Sequence, residues 1–206
     1  MNYSENEINF ICRLLGYGKL PGYDDFPILS KKESEEVVEQ FIEKKIIEGD
    51  KLTDKGLSLS QFMKWYAQAR RYLKIGNSMF ANYQNNEYVM MTKHDTAFTI
   101  LPVNQDEIVA ILLSKFSNQM KSVESGKMQK RFITKRRFKD YMDANPEVNA
   151  IYYYYIDLDK KTDTKGLLFY ADNKLQHYDG SLEELTIYPK ECVQQGIESI
   201  FCKGVV

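Results

Sequence analysis

The segment Leu52-Thr53-Asp54-Lys55-Gly56 separates two stretches whose apolar residues recur at helical spacing. The stretch before it predicts a helix over 32–46, and the stretch after it predicts a helix over 58–73. The predicted inner faces carry Val37, Val38, Phe41 and Ile42 in the first helix, and Phe62, Trp65, Tyr66, Ala69 and Leu73 in the second. Gly49-Asp50 and Asp54-Lys55-Gly56 predict turns. Each helix is expected to pack its apolar face against another element, because such a face is not stable in water.

A further helix is predicted at the N-terminus. Ser4 and Glu7 have the spacing of a capping box, in which each side chain accepts a hydrogen bond from the backbone of the other residue. Apolar residues follow at helical intervals, at Ile8, Ile11, Cys12 and Leu15. The helix is expected to end at Gly16, where a loop rich in glycine and proline covers 16–22.

The apolar period then changes from that of a helix to that of strands. Short segments rich in β-branched and aromatic residues cover 79–83, 87–92 and 96–103, with polar turns between them. Asn104 is placed to cap a helix that follows. The inner face of that helix is predicted to carry Val109, Leu112, Leu113 and Phe116.

The second half of the chain repeats this order of elements. Phe138, Tyr141 and Met142 indicate a short helix that ends before Asn145-Pro146, and strands are predicted over 148–158, 166–171 and 174–178. Pro189 suits the first turn of a last helix, whose inner face carries Val193, Ile197, Ile200 and Phe201. We therefore predict an α+β fold of two pseudo-symmetric halves, 1–118 and 119–206, in one globular unit. Antiparallel β-meanders would form a sheet packed with helices.

Composition narrows the classes of function. The 206 residues carry a formal net charge of −1, which gives no overall attraction to nucleic acid or to an anionic membrane. The three cysteines, Cys12, Cys192 and Cys202, have no spacing typical of a disulfide framework and indicate a reduced, cytoplasmic protein. No signal peptide or membrane span is predicted. Neither a zinc site nor a nucleophile, phosphate-loop or calcium-loop motif is present, so we expect no cofactor, no metal, no catalytic residues and no enzyme.

Two segments are candidates for binding a partner. The segment 127–139 has no acidic residue and carries Lys127, Lys130, Arg131, Lys135, Arg136, Arg137 and Lys139. With phenylalanines interleaved, it has the composition of a nucleic-acid patch, but it would equally suit an acidic protein or a solvated linker. The second is the run of tyrosines at 152–155, whose members alternate between the two faces of a strand. One face would lie in the core, and the other would be covered by the protein or offered to a partner.

The sequence "IIEGDKLTDKG" resembles the third helix and wing of small winged-helix regulators. In that class a helix with polar and basic side chains enters the major groove of DNA. Here the candidate helix carries Glu33, Glu35, Glu36, Glu39 and Glu43, which would repel phosphates. A DNA-binding regulator therefore remains an alternative that departs from its pattern at the recognition helix.

A second resemblance covers more of the chain. Four short motifs occur in the order found in EspG/EsaE-type chaperones of type VII secretion: Leu14-Leu15-Gly16, Leu20-Pro21, Ile46-Ile47 and Leu52-Thr53-Asp54-Lys55-Gly56. The strand segment "MFANYQNNEYVMMTKHDTAFTILPV" and the helix "DEIVAILLSKF" follow these motifs, as similar segments do in that family. The resemblance implies the pseudo-symmetric fold predicted above. It also implies a cytosolic chaperone or adaptor that binds a helical secreted protein, of the WXG100 or LXG type or similar, and keeps it soluble for export.

The resemblance transfers no fixed set of binding residues, so the contact residues are chosen from the sequence itself. We predict that a partner contacts Tyr153, Tyr155, Ile197, Ile200 and Phe201, and that Arg131, Arg136 and Arg137 steer an acidic partner. No membrane contact is expected, and nucleic acid is disfavoured as a partner. An immunity protein that binds a toxin is a further alternative, since it too would act by binding alone.

Overall fold

A computed structural model describes residues 2–23, 25–145 and 148–201. Pro146 and Cys202, both used in the sequence analysis, lie outside these residues. The chain divides into two compact units, one formed by 1–70 and 77–103 and the other by 71–76 and 104–206. This division differs from the predicted boundary at 118, because the helix after Asn104 groups with the second unit and so does one earlier strand.

The helices of the first unit are α1 (Glu5–Leu14), α2 (Lys31–Glu43) and α3 (Asp54–Gln68). The capping box predicted from Ser4 and Glu7 is confirmed, with the Ser4 hydroxyl accepting from the Glu7 N–H at 3.2 Å and the Glu7 carboxylate accepting from the Ser4 N–H at 2.6 Å. The same buried carboxylate lies 2.6 Å from the Lys44 ammonium group at the end of α2. This ion pair joins α1 to α2, which pack against each other.

The structure explains the Leu-Thr-x-x-Gly motif. Thr53 caps α3, since its hydroxyl accepts from the Gly56 N–H at 3.2 Å and donates to the Lys45 carbonyl at 2.7 Å. A Cβ atom on Gly56 would lie within 2.3 Å of the Ile46 carbonyl oxygen, so the first turn of α3 packs directly on the preceding backbone. Asp54-Lys55-Gly56 is therefore the first turn of helix α3, and the prediction of a chain turn that precedes the helix was wrong.

The boundaries of α3 also correct its predicted inner face. The helix ends at Gln68, and Leu73 lies beyond it in a strand. Burial follows Leu59, Met63 and Tyr66, whereas the predicted inner residues Phe62 and Trp65 are only half-buried.

The strands of the first unit are β1 (Asn2–Ser4), β2 (Ile47–Glu48), β3 (Lys51–Leu52), β5 (Ser78–Gln84), β6 (Glu87–Lys93) and β7 (Ala97–Asn104). Four of them are hydrogen-bonded in the order β1-β7-β6-β5, and β2 pairs with β3 in a small hairpin. The three longest confirm the predicted meander. Helix α3 packs on β5 and β6, and its buried side chains are those of Leu59, Met63 and Tyr66.

The strands of the second unit are β4 (Arg71–Ile75), β8 (Gln129–Phe132), β9 (Ala150–Asp157), β10 (Thr162–Ala171), β11 (Lys174–Asp179) and β12 (Glu184–Tyr188). They are hydrogen-bonded in the order β4-β9-β10-β11-β12-β8, and each pairs antiparallel with its neighbours. The sequence predicted only β9, β10 and β11 of these. Strands β4, β8 and β12 were not predicted.

The helices of the second unit are α4 (Gln105–Lys115), α5 (Ser117–Met120), α6 (Lys135–Asp143) and α7 (Val193–Glu198). The Asn104 cap of α4 is confirmed, because its side chain accepts from the Glu107 N–H at 2.9 Å. Helix α6 covers one sheet face through Phe138, which packs against Phe169 and stacks on Tyr178 with ring centroids 3.7 Å apart. The predicted α+β fold, with antiparallel strands packed by helices, is confirmed.

Candidate partner-binding surfaces

The tyrosines at 152–155 alternate between the two faces of β9, as predicted, but the predicted contact face is the buried one. Tyr153 and Tyr155 lie in the core, so a partner cannot reach them on the folded surface. The outward face carries Tyr154, half-buried, and Tyr152, whose side chain is 68% exposed. The alternation followed from strand geometry, whereas the choice of face depended on what covers the strand.

Tyr153 is held inside by one residue of the adjacent strand β10 and one residue of β11. Its hydroxyl oxygen lies 2.6 Å from Nε2 of His177, and both side chains are buried. The ring crosses Gly166, where a Cβ atom would come within 2.2 Å of the hydroxyl oxygen. Burial, with the nearby Asp179 charge, raises the pKa of Tyr153 well above its usual range. The phenol therefore keeps its proton and serves as a core hydrogen-bonding group.

The predicted contact at the C-terminal helix is also internal. Ile197 lies in α7, which packs against α4 and β11, and Ile200 and Phe201 follow the end of this helix. All three are buried. At Gly196 a Cβ atom would lie 2.8 Å from the Tyr188 ring, so the helix and the sheet are in close contact. Val193 and Ile197 form the buried face of α7 as predicted, whereas Ile200 and Phe201 lie beyond its end at Glu198. The protein itself covers all four side chains.

The three predicted steering arginines are exposed. Arg131 lies in β8, and Arg136 and Arg137 lie in the first turn of α6. Cations at this end of a helix oppose its dipole, at a cost of roughly 0.3–1 kcal/mol each. Helix stability therefore does not account for their position, and their role in steering a partner stays a prediction.

The first unit has an apolar groove that was not predicted from the sequence. Its volume is about 480 Å³, and its apolar lining consists of Leu15, Leu52, Leu57, Phe62 and Trp65. Ser58, Ser60, Gln61 and Lys64 complete the lining. Leu52 and Leu57 flank Thr53-Asp54-Lys55-Gly56 in the sequence, but only the folded structure shows that both leucines are exposed outside the core.

The floor of the groove is rigid. Trp65 stacks on Tyr83 with ring centroids 4.3 Å apart and nearly parallel planes, and its centroid lies 5.8 Å from that of Phe62. Leu57 is 55% exposed on the rim. Fixed aromatic rings beside an exposed leucine offer apolar area to a partner at little cost in side-chain entropy.

The surface of α2 bears on the DNA-binding alternative. Glu35, Glu36, Glu39 and Glu43 are exposed along this helix, which precedes the β2–β3 hairpin. A helix with this charge is repelled by phosphates. The structure therefore offers no basic recognition helix at the position where the winged-helix resemblance would place one.

Chemistry at the described cysteines is limited by burial. Burial raises the pKa of the Cys12 thiol to about 12, whereas Cys192 is half-exposed. Only the thiolate is a strong nucleophile.

We expect iodoacetamide at pH 8 to alkylate Cys192 in the folded protein and to leave Cys12 unmodified, as read by mass spectrometry of the digested protein. Equal labelling of the two before unfolding would contradict the burial of Cys12.

The described residues hold neither a cluster of metal-binding side chains nor a helix that could span a membrane. They contain no group of three or more His, Cys, Asp and Glu side chains placed to hold a metal ion. None of the helices in residues 2–23, 25–145 and 148–201 has the length and apolar character to span a membrane.

Comparison with known sequences identifies relatives at the level of the family. Residues 1–200 match the family described as "Domain of unknown function (DUF5081)". The type VII secretion system protein EsaE of Staphylococcus aureus, in strains USA300 and NCTC 8325 / PS 47, is 31% identical over 97 residues. That alignment covers 45% of this chain and 43% of the relative, so it spans less than half the length of the relatives it matches.

Comparison with solved structures extends over nearly the whole chain. The type VII secretion system chaperone EspG5 of Mycobacterium tuberculosis, solved in complex with the PE25-PPE41 dimer, matches with a TM-score of 0.61. The match covers 98% of this chain and 95% of that chain at 10% sequence identity. The two proteins therefore share a fold.

Proposed function

The chain belongs to the DUF5081 family, and on that premise we propose that it is a chaperone or adaptor of type VII secretion. It would bind a helical secreted protein and keep it soluble until export. The observation that carries the proposal is the fold shared with the EspG5 chaperone across nearly the entire chain. The partial sequence match to EsaE points to the same secretion system.

The proposed role is binding rather than catalysis. The relative EsaE is a secretion system protein and EspG5 is a chaperone, which supports a non-enzymatic role. EspG5 was solved with a dimer of two proteins, PE25 and PPE41, and by analogy the client here would be a helical protein, of the WXG100 or LXG type. Such a client is held before export, so we place the protein in the cytoplasm.

We propose that the client binds in the groove lined by Leu57, Phe62 and Trp65. Chaperone action requires apolar surface that the protein itself leaves uncovered, and this groove supplies it next to rigid rings. An amphipathic helix can lay its apolar residues into such a groove. Each large apolar side chain that becomes fully buried there would contribute roughly 1.5–3 kcal/mol.

The test is co-purification of the tagged protein with its secreted clients from the native cytosol, with the bound material examined for both protein and nucleic acid. We expect a helix-rich secreted protein in the wild-type sample. Leu57→Asp places a charge on the groove rim and should reduce the recovered client about tenfold, because an unpaired charge cannot be buried against apolar side chains.

Ile28→Asp is the matched control, since Ile28 is 85% exposed in the same unit and does not line the groove. The control should recover the client as the wild type does. Equal loss in both variants would contradict the assignment of the groove. Recovery of a specific DNA fragment without a secreted protein would overturn the chaperone proposal in favour of a regulator.

A further inference from the structure

Strand β8 forms an open edge in the second unit. Among the strands of the described residues it is the last in the hydrogen-bonded order, and it pairs there with β12 alone. All four of its residues, Gln129–Phe132, are exposed, so no helix or loop within 2–23, 25–145 and 148–201 covers them. An exposed edge presents backbone N–H and C=O groups that can pair with another strand.

The register shows which backbone groups are available. The Ile133 N–H, just after the strand, donates to the Glu183 carbonyl at 2.8 Å. In an antiparallel pair, residues bonded to the partner strand alternate with residues that are not. Arg131 therefore directs its N–H and C=O toward β12, whereas Lys130 and Phe132 direct theirs toward solvent.

The positive charges around this edge favour a partner that carries negative charge. The segment 127–139 carries seven cations and no acidic residue, and Lys130 and Arg131 lie in β8 itself. Glu184 of β12 lies 2.8 Å from the Lys130 ammonium group and offsets only part of this charge. Pairing of β8 with the β8 of a second copy would bring these cations together, which is destabilising. An acidic strand would meet complementary charge.

The edge also carries a large exposed apolar side chain, that of Phe132. Phe132 is 72% exposed on the sheet face that also carries Lys130, because alternate residues share a face. An added strand would pass next to this ring. A partner with acidic and apolar residues in alternation would therefore match both the charge and the apolar surface.

We propose that β8 is a docking edge that takes an extended, acidic segment of a partner protein by strand addition. The main-chain groups of Lys130 and Phe132 pair with the added strand, and the cations of 127–139 bind its carboxylates. The edge thus gives the proposed chaperone a second contact, with an extended segment instead of a helix, in a different unit from the groove.

The test uses a synthetic peptide of alternating glutamate and valine, with lysine in place of glutamate in the control peptide. Phe132→Pro removes the outward N–H without touching the ladder to β12, and proline is tolerated on such an edge. Phe132→Ala is the matched control, because it also loses the ring but keeps the N–H. We expect the Pro variant to bind the acidic peptide about tenfold more weakly than the Ala variant.

Amide hydrogen exchange measured by NMR locates the contact. The acidic peptide should protect the Lys130 and Phe132 amides, and the lysine peptide should protect neither. Equal affinity of the two variants, with spectral changes confined to α6, would overturn strand addition in favour of a side-chain contact. Self-association lost in Phe132→Pro but kept in Phe132→Ala would also overturn it, because the edge would then serve a second copy. The peptide result does not depend on a secreted client, so it separates this proposal from the chaperone role.

Discussion

Gly56→Ala is expected to lower the free energy of unfolding by about 2–3 kcal/mol, although alanine is the better helix former by roughly 1 kcal/mol. Gly56 is in the first turn of α3, where helix propensity alone would predict a more stable protein. The Cβ atom would meet the Ile46 carbonyl oxygen at 2.3 Å, however, and that oxygen belongs to backbone. To relieve this clash, either the start of α3 or the chain before β2 must move, and either movement would weaken the hydrogen bonds of the Thr53 cap.

Urea unfolding of the purified variant measures this effect, with Gly18→Ala as the control. Gly18 has no heavy atom within 4 Å of its Cβ position, so alanine there should leave stability unchanged or raise it by roughly 0.4–1 kcal/mol. If Gly56→Ala were as stable as the wild type, the close contact between α3 and the preceding backbone would be wrong, and with it our explanation of the motif.

The motif also shows how far local sequence determines the fold. The Ser4 and Asn104 caps were predictable because a cap needs only residues three positions apart. Thr53 is a cap of the same kind, but Gly56 resembles a turn residue in a linear sequence. Its actual role depends on the Ile46 carbonyl, which is adjacent only after the chain has turned. A glycine required by close approach cannot be distinguished from one required by a turn without the tertiary contact.

The same limit applied to the candidate site. The alternation of Tyr152 and Tyr153 followed from strand geometry, yet the buried face is fixed by His177 and Gly166 on other strands. Strand β8 was missed because its residues Gln129–Phe132 include two cations and little β-branched character. Polar, charged sequence is what an unpaired edge needs in order to resist aggregation. The polar, charged sequence that makes β8 a candidate docking edge is therefore also the reason why it was not predicted as a strand.

Reversing the charges of Arg131, Arg136 and Arg137 to glutamate is expected to slow association with an acidic client roughly 30- to 300-fold at low salt. The client is the one recovered by co-purification, and its association rate is followed by stopped-flow fluorescence at several ionic strengths. The difference from the wild type should shrink as salt is raised, because exposed charges are screened beyond about 10 Å at 0.1 M salt.

The fold should survive this change, which makes the measurement decisive. Arg136 and Arg137 lie in the first turn of α6, where acidic side chains favour the helix dipole and the native cations oppose it. The variant should therefore melt at the wild-type temperature or above it, and slower binding cannot be ascribed to unfolding.

The matched control reverses Lys115, Lys121 and Lys190, which are exposed in the same unit but outside 127–139. Both triple variants change the net charge equally, so steering by overall charge would slow them alike. Steering by the segment 127–139 would slow only the arginine variant. An unchanged rate for that variant at low salt would show that the segment is solvated surface, and the client would then be recognised through apolar contact alone.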